Sequence, residues 1–375
     1  MSYTYTPGLK IQKFALIRKH RMLPLLGEII INEGDEVHYD TVVAKTYIPG
    51  DIEMIPLFYI LGVEPYNLSK SILKKEGDKV QEDELLATSK SFFGLFKSEY
   101  RSKISGIIEL ISDVTGMIAI RHFPIPINLD AYISGKVIKI IPNQGVIIET
   151  KASIIQGIFG VGGERHGEIK VVSNPYNELN INKISKDCKG KIIVGGSFIM
   201  ADTLIRAVDE GVQGIVTGSI EWFELTKFLG YEMGVAITGH EDIGLTFIIT
   251  EGFGRMNMAR NTYELLKSGE GKFTSINGAT QIRAGVIRPE IIIPLNDSEI
   301  GNFNDKKEIL TEGLKIGTKV RITRQPYFGI FCTVKKLPPE LQQIETESSV
   351  RVIVVELENG QLVTIPRTNL EIVEE

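Results

Sequence analysis

The feature that most restricts this chain is an internal repeat near its start. Glu33-Gly34-Asp35-Glu36-Val37-His38-Tyr39-Asp40-Thr41-Val42-Val43-Ala44 returns 43 positions later as Glu76-Gly77-Asp78-Lys79-Val80-Gln81-Glu82-Asp83-Glu84-Leu85-Leu86-Ala87, with six of the twelve positions identical. In each copy a Gly-Asp turn precedes a valine, a short polar gap and an apolar run. This is the pattern of a tight hairpin between two short strands, with glycine supplying the turn's positive φ. Two like hairpins can bury their apolar faces against each other. Ser105-Gly106-Ile107-Ile108-Glu109-Leu110 and Ser134-Gly135-Lys136-Val137-Ile138-Lys139-Ile140 are shorter echoes, each a glycine opening an alternating β-branched strand. Residues 1–150 are therefore expected to be all-β.

Gly27-Glu28-Ile29-Ile30 leading into the Glu-Gly-Asp turns, followed by Ser105-Gly106-Ile107-Ile108, resembles the barrel-sandwich hybrid fold of biotinyl and lipoyl carrier domains and their non-carrier relatives. The resemblance covers roughly residues 20–150 and implies a modifiable lysine on a hairpin tip. Here that tip reads Ala87-Thr88-Ser89-Lys90-Ser91-Phe92-Phe93-Gly94-Leu95-Phe96-Lys97, without the methionine neighbour or the Glu-x-Asp-Lys context of the carriers. Lys90 and Lys97 are accordingly expected to be solvated loop lysines. Phe92, Phe93, Leu95 and Phe96 are expected to pack on the next domain or to meet a partner.

From about residue 190 the period changes. Apolar runs at 191–194, 214–217, 234–238 and 245–250 predict short buried strands, and 3.6-residue patterns predict helices over 200–210, 221–229 and 257–267. Strands alternating with ten-residue helices imply right-handed βαβ units and a mainly parallel sheet. The expected layout is a β domain over 1–150, a glycine-rich connection over 151–184, an α/β domain over 185–295, a hydrophilic linker over 296–313 and a further β unit over 314–375. In that last unit Gly317-Thr318-Lys319-Val320-Arg321-Ile322-Thr323-Arg324-Gln325-Pro326-Tyr327-Phe328-Gly329-Ile330-Phe331-Cys332 resembles the KOW hairpin of NusG- and Spt5-type transcription factors and of several ribosomal proteins. Cys332 stands where family members commonly carry a second glycine. The resemblance implies an SH3-like β-barrel, which Glu358-Asn359-Gly360 would complete with a further hairpin turn. The fold class is thus multidomain α+β.

Charge and composition bound the partners. A formal charge of -5 and a pI near 5.8 give no global attraction to polyphosphate. Cys188 and Cys332 lie far apart without ligand spacing, which fits a reducing cytoplasm and excludes a disulfide or zinc-finger scaffold. No apolar run reaches the ~20 residues of a membrane span. The 37 glycines follow no period, so they act as punctuation.

Ligands of open parallel sheets bind at the strands' carboxyl ends. Gly195-Gly196-Ser197, Thr217-Gly218-Ser219, Thr238-Gly239-His240-Glu241-Asp242 and Thr250-Glu251-Gly252-Phe253-Gly254 are the four predicted ends, each small or polar and glycine-bearing. They form either an anion cradle or ordinary βα turns. Neither a Walker lysine nor Gly-x-Gly-x-x-Gly accompanies them, and no cofactor is implied. Adjacent residues such as His240, Glu241 and Asp242 diverge, so a metal site would need His166 brought over from Gly162-Gly163-Glu164-Arg165-His166-Gly167; none is expected. Arg283 could clamp an anion or anchor an interdomain ion pair. Lys319, Arg321, Arg324, Lys335 and Lys336, interleaved with Tyr327 and Phe328, suit RNA or a protein partner. The leading expectation is a cytoplasmic, non-enzymatic adaptor whose KOW-like unit docks on a ribosome, an RNA polymerase or RNA. The rival is a small-molecule- or nucleotide-binding α/β protein, or an enzyme, with its site at the glycine-rich strand ends of the central domain.

Overall fold

The computed structural model describes residues 9–91, 96–231, 243–280, 287–296, 299, 314–322, 326–327, 330–343, 349–357 and 359–374. The protein is mostly β, its strands distributed over several sheets. The first strand, β1 (Leu9–Met22), runs beside one strand from the middle of the sequence and one from its last residues.

The repeated turns form as the sequence predicts, but they pair differently. Gly34 and Gly77 take φ of 95° and 89°. The carboxylates of Asp35 and Asp78 accept the N–H of Asn32 at 2.8 Å and of Lys75 at 2.7 Å. Each turn then clamps one of the Ser-Gly echoes rather than its twin. Gly34 N–H donates to Val137 O and Val137 N–H to Asp35 O, at 2.8 and 2.9 Å; Gly77 N–H donates to Ile108 O and Ile108 N–H to Asp78 O, at 2.7 and 3.0 Å. Glu33 and Glu76 finish the clamps on the N–H groups of Ile140 and Ile111. The two units have separate cores. Val37 packs with Val43, Val137 and Ile148, and Val80 with Leu57, Leu86, Ile108 and Ile118. The second unit is inserted in the first: strands Val42–Ile48 and Ile125–Asp130 pair antiparallel with Ile48 opposite Ile125, and the intervening chain leaves and returns at that point.

After the insertion come β2 (Gly135–Ile141) and β3 (Gly145–Gln156), a hairpin whose second strand also pairs with β1 along most of its length. The 151–184 stretch carries the end of β3 together with β4 (Phe159–Val161) and β5 (Glu164–Val171), so it is more than a connection. Then follow β6 (Lys191–Val194), α1 (Ala201–Asp209), β7 (Gly214–Ile220), α2 (Trp222–Leu229), β8 (Thr246–Phe253), α3 (Arg260–Ser268), β9 (Phe273–Asn277) and β10 (Glu290–Pro294). The expected strand at 234–238 lies outside the described residues. The sheet order is β4-β8-β7-β6-β5-β9-β10-β3-β1. Only β5 to β8 are parallel, so the sheet is mixed rather than mainly parallel. Parallel neighbours need long crossovers, which α1 and the other connections supply; β9 and β10 pair antiparallel with each other and with their outer neighbours. α1 and α2 cover one face through Leu204, Ile215, Leu225 and Phe247, while α3 covers the other through Ile192, Val216, Ile248 and Leu266. Burial on both faces explains why β7 and β8 read as continuous apolar runs.

The last strands are β11 (Lys319–Ile322), β12 (Phe331–Lys336), β13 (Ser349–Leu357), β14 (Leu362–Pro366) and β15 (Leu370–Glu374). They form an antiparallel run, β15-β11-β12-β13-β14, that is not a closed barrel among the described residues. Its core is Val320, Val334, Val355 and Ile365. The clamp recurs here: Gly317 at φ 92° donates to Val334 O, Val334 N–H donates to Thr318 O, and Thr318 Oγ1 accepts the Lys315 N–H at 3.0 Å. β15 also pairs with the start of β1, Val373 opposite Leu9. No helix among the described residues is long and apolar enough to cross a membrane.

Candidate functional site

The carboxyl ends of β6, β7 and β8 lie side by side, as parallel pairing requires. Where described, they are packed against their own chain. A Cβ on Gly195 (φ 134°) would meet Ser173 O at 2.4 Å, one on Gly196 (φ 87°) would meet Leu179 Cβ at 2.7 Å, and one on Gly218 would meet Ser197 O at 2.7 Å. The hydroxyls are engaged by backbone. Thr217 Oγ1 donates to Gly196 O at 3.2 Å, and Ser219 Oγ donates to Ser197 O at 2.8 Å while accepting Met256 N–H at 3.0 Å. Ser197, Thr217, Ser219, Thr250 and Glu251 are all buried, and Gly252 takes φ of 132°. These glycines serve close backbone approach and positive φ. His240, Glu241, Asp242 and Arg283 lie outside the described residues.

Two candidates from opposite ends of the reading meet. Arg321 Nη1 donates to Glu251 Oε2 at 2.7 Å, with both side chains 1% exposed, and also to Thr250 O at 3.2 Å. The other Glu251 oxygen accepts the Ala259 N–H at the start of α3 at 3.0 Å and the Thr250 hydroxyl at 3.1 Å. Arg321 therefore fastens the C-terminal strands to the end of β8 and presents nothing to a surface polyphosphate. Of its basic neighbours, Lys335 pairs with Glu356 at 2.6 Å, and Lys319 and Lys336 are exposed. Tyr327 packs on the β11–β15 core. Arg324 and Phe328 lie outside the described residues, as do Phe92, Phe93 and Leu95.

Two features escaped the sequence reading. The first is an aromatic rim just past the ends of β7 and β8. Phe253 sits between Phe159 at 5.2 Å and Trp222 at 5.3 Å, edge to face with the latter, and the Arg255 guanidinium lies 4.6 Å over Phe198 while pairing with Glu221 at 2.9 Å. Trp222 and Phe223, in the first turn of α2, are 49% and 72% exposed. The sequence signal was available: Glu221-Trp222-Phe223 places adjacent aromatics, including the only tryptophan, at a predicted helix start.

The second is a cavity of about 350 Å³ where the 38–39 and 133–134 turns of the N-terminal unit lie on the sheet face made by β3, β10 and β9. Tyr39 stacks on Phe273 with ring centres 4.5 Å apart and lies 4.7 Å from His166, which faces Ser275 across the β5–β9 ladder. Beside it, Tyr132 holds the rare φ of 67° for a buried aromatic. Its hydroxyl donates to Glu290 at 3.2 Å, Glu290 takes Lys19 at 2.5 Å, and Arg21 grips Glu164 at 2.7 and 2.9 Å, 5.3 Å from the Tyr132 ring. Burial holds the His166 imidazole below its usual pKa, with Arg21 and His38 adding to the effect and Glu164 and Asp40 opposing it. His166 is accordingly neutral at pH 7. Among the described residues no group of three or more His, Cys, Asp or Glu side chains is placed to hold a metal ion. No protein-family model matches the chain, and no curated protein matches it.

Proposed function

We propose that the protein is an adaptor that docks a protein partner, with the aromatic rim as its contact surface and transcription or translation machinery as the setting that the KOW resemblance implies. The carrying observation is the exposure of Trp222 and Phe223 side by side at the start of α2, with the partly exposed Phe253 against Trp222. Clustered aromatics left in water mark contact sites, and tryptophan is among the residues that dominate binding energies. The strand order β15-β11-β12-β13-β14, with the one-turn 3-10 helix Arg367–Asn369 before the last strand, supports the KOW-like, SH3-like reading of the C-terminal unit. Within that reading a protein contact is favoured over RNA, because Arg321 is buried and Lys335 is paired.

The test is purification from native cells at high salt and after ribonuclease treatment, beside a Phe223→Asp variant. A stoichiometric protein partner that survives both treatments and is lost with the variant is expected. Recovery of no partner, or equal recovery with the variant, removes the reading. A second reading, small-molecule binding, is favoured by the cavity on the sheet face rather than by the glycine-bearing strand ends.

A further inference from the structure

We propose that the cavity between the N-terminal unit and the sheet binds a small, neutral molecule that joins a flat ring to hydroxyl groups, the chemistry of a free nucleoside. Its volume, about 350 Å³, falls at the lower end of the range of small-molecule pockets, roughly 300–1,000 Å³. It lies where the 38–39 and 133–134 turns pack on the sheet, and its buried lining residues Ile133 and Ile292 belong to one core.

The lining combines apolar and aromatic surfaces with hydroxyl groups. Ile133 and Ile292 are buried, Pro294 lies beside them, and the stacked pair of Tyr39 and Phe273 stands at 12° between planes with part of each residue open to solvent. A flat ring suits these surfaces. Among them, Ser134, Thr150 and Ser275 bring three hydroxyls from three different elements, Ser134 bonded to Tyr39 and Ser275 facing Ile292 across the β9–β10 ladder. One of the three has a fixed polarity and a second keeps its donor. Ser275 Oγ gives its proton to Tyr132 O at 2.6 Å, so it offers a ligand only an acceptor. Ser134 Oγ accepts the Tyr39 N–H at 3.2 Å, so its own O–H is free to donate. A ligand with both a donor and an acceptor fits this pair, as a ribose or a nucleobase edge does.

Electrostatics select against an anion. The lysine of the lining is matched, Lys272 with Glu299 at 2.5 and 2.7 Å, and the Asp40 carboxylate stands next to the cavity, hydrogen-bonded to His38 at 2.8 Å. A phosphate entering here would have to compete with Glu299 for Lys272. The site therefore takes the nucleoside and discriminates against the nucleotide.

Calorimetric titration of the full chain with adenosine and with uridine, and with adenosine monophosphate as the charged counterpart, tests this. Saturable 1:1 binding of at least one nucleoside is expected, with the monophosphate at least tenfold weaker. Thr150→Val, which removes a hydroxyl at nearly constant shape, and Tyr39→Ala are each expected to weaken the nucleoside at least fivefold. Ser268→Ala, on the exposed end of α3, should leave binding unchanged, and thermal unfolding of each variant checks that it folds. The proposal is overturned if neither nucleoside binds, if the monophosphate binds equally well, or if folded Thr150→Val and Tyr39→Ala both bind as the parent does.

Discussion

Arg321 and Glu251 stand 70 residues apart in the chain and share one buried site, which makes the loss of one partner a different experiment from the loss of both. Removing a single member of a buried pair leaves an uncompensated charge and destabilises by about 3–5 kcal/mol. Arg321→Met should show that loss in urea unfolding. Adding Glu251→Gln should restore most of it, because glutamine keeps an acceptor for the Ala259 N–H without the stranded charge. Additive losses in the double variant would show that the pair is not the fastening. Both residues carried functional chemistry in the sequence reading, and that they spend it on each other was not legible there. Their meeting depends on β11 lying against the end of β8, which no local pattern encodes. Cys332 gives a second residue-scale expectation. Burial pushes its thiol from an ordinary 9.0 up to about 11. Between those values the folded chain holds a proton that the unfolded chain has released. The thiol's contribution is therefore complete below pH 9 and is lost as pH rises towards 11, at a limiting slope of roughly 1.4 kcal/mol per unit. Cys332→Ser should flatten that part of the alkaline limb in denaturant titrations from pH 8 to 11.

At the scale of elements, the chain uses one clamp three times. Glycine at positive φ opens the turn, the next residue's side chain caps the backbone two residues before the glycine, and the glycine donates to a strand brought in from elsewhere. The first two copies were legible because Glu-Gly-Asp is repeated letter for letter. The third is hard to see as a copy, since of the residues the first two share Lys315-Ile316-Gly317-Thr318-Lys319-Val320 keeps only the glycine and the valine, and a threonine hydroxyl replaces the aspartate. The partner strands were visible as Ser-Gly echoes, yet their pairing was not, because a turn motif specifies its own φ and capping bonds and leaves the facing strand to the tertiary fold. The strand and helix alternation from β6 to α3 was read closely, its two-face burial being plain in the apolar runs. β9 and β10 were missed as strands. If the clamp acts as described, Gly34→Ala and Gly77→Ala should each destabilise by about 1–2 kcal/mol. There is open space at both Cβ positions, so the penalty is backbone strain alone. Asp35→Ala and Asp78→Ala should each lose about 1 kcal/mol of capping. Equal stability of Gly34→Ala and the parent in thermal unfolding would mean the turn relaxes to another conformation.

The whole molecule is held by a strand that joins its early and late strands, and it carries an insertion with a core of its own. β1 pairs with β3 along most of its length and, at Leu9 and Lys10, with the last strand, so the N-terminal strand belongs to both sheets. Leu9 and Ile11 sit in the same core as Ile248 and Leu266, with Phe331 of the C-terminal strands packed against it. Arg321 reinforces the same junction from β11. The unit between Ile48 and Ile125 behaves oppositely. Its core of Leu57, Leu86, Ile108 and Ile118 is its own, and its entry and exit are cross-strand neighbours. Ladder neighbours lie about 4.5–5.5 Å apart, a gap that a two-residue Asn-Gly turn spans. Replacing residues 49–124 by Asn-Gly should therefore leave a body that unfolds cooperatively, with a midpoint within a few degrees of the parent. Truncating β1 by deleting residues 1–12 should lower that midpoint much further, although it removes far fewer residues, because it strips Leu9 and Ile11 from the shared core. Circular dichroism melts of the two deletions decide the point. A collapsed midpoint in the excised chain, or an intact one in the truncated chain, would reverse which segment holds the molecule together.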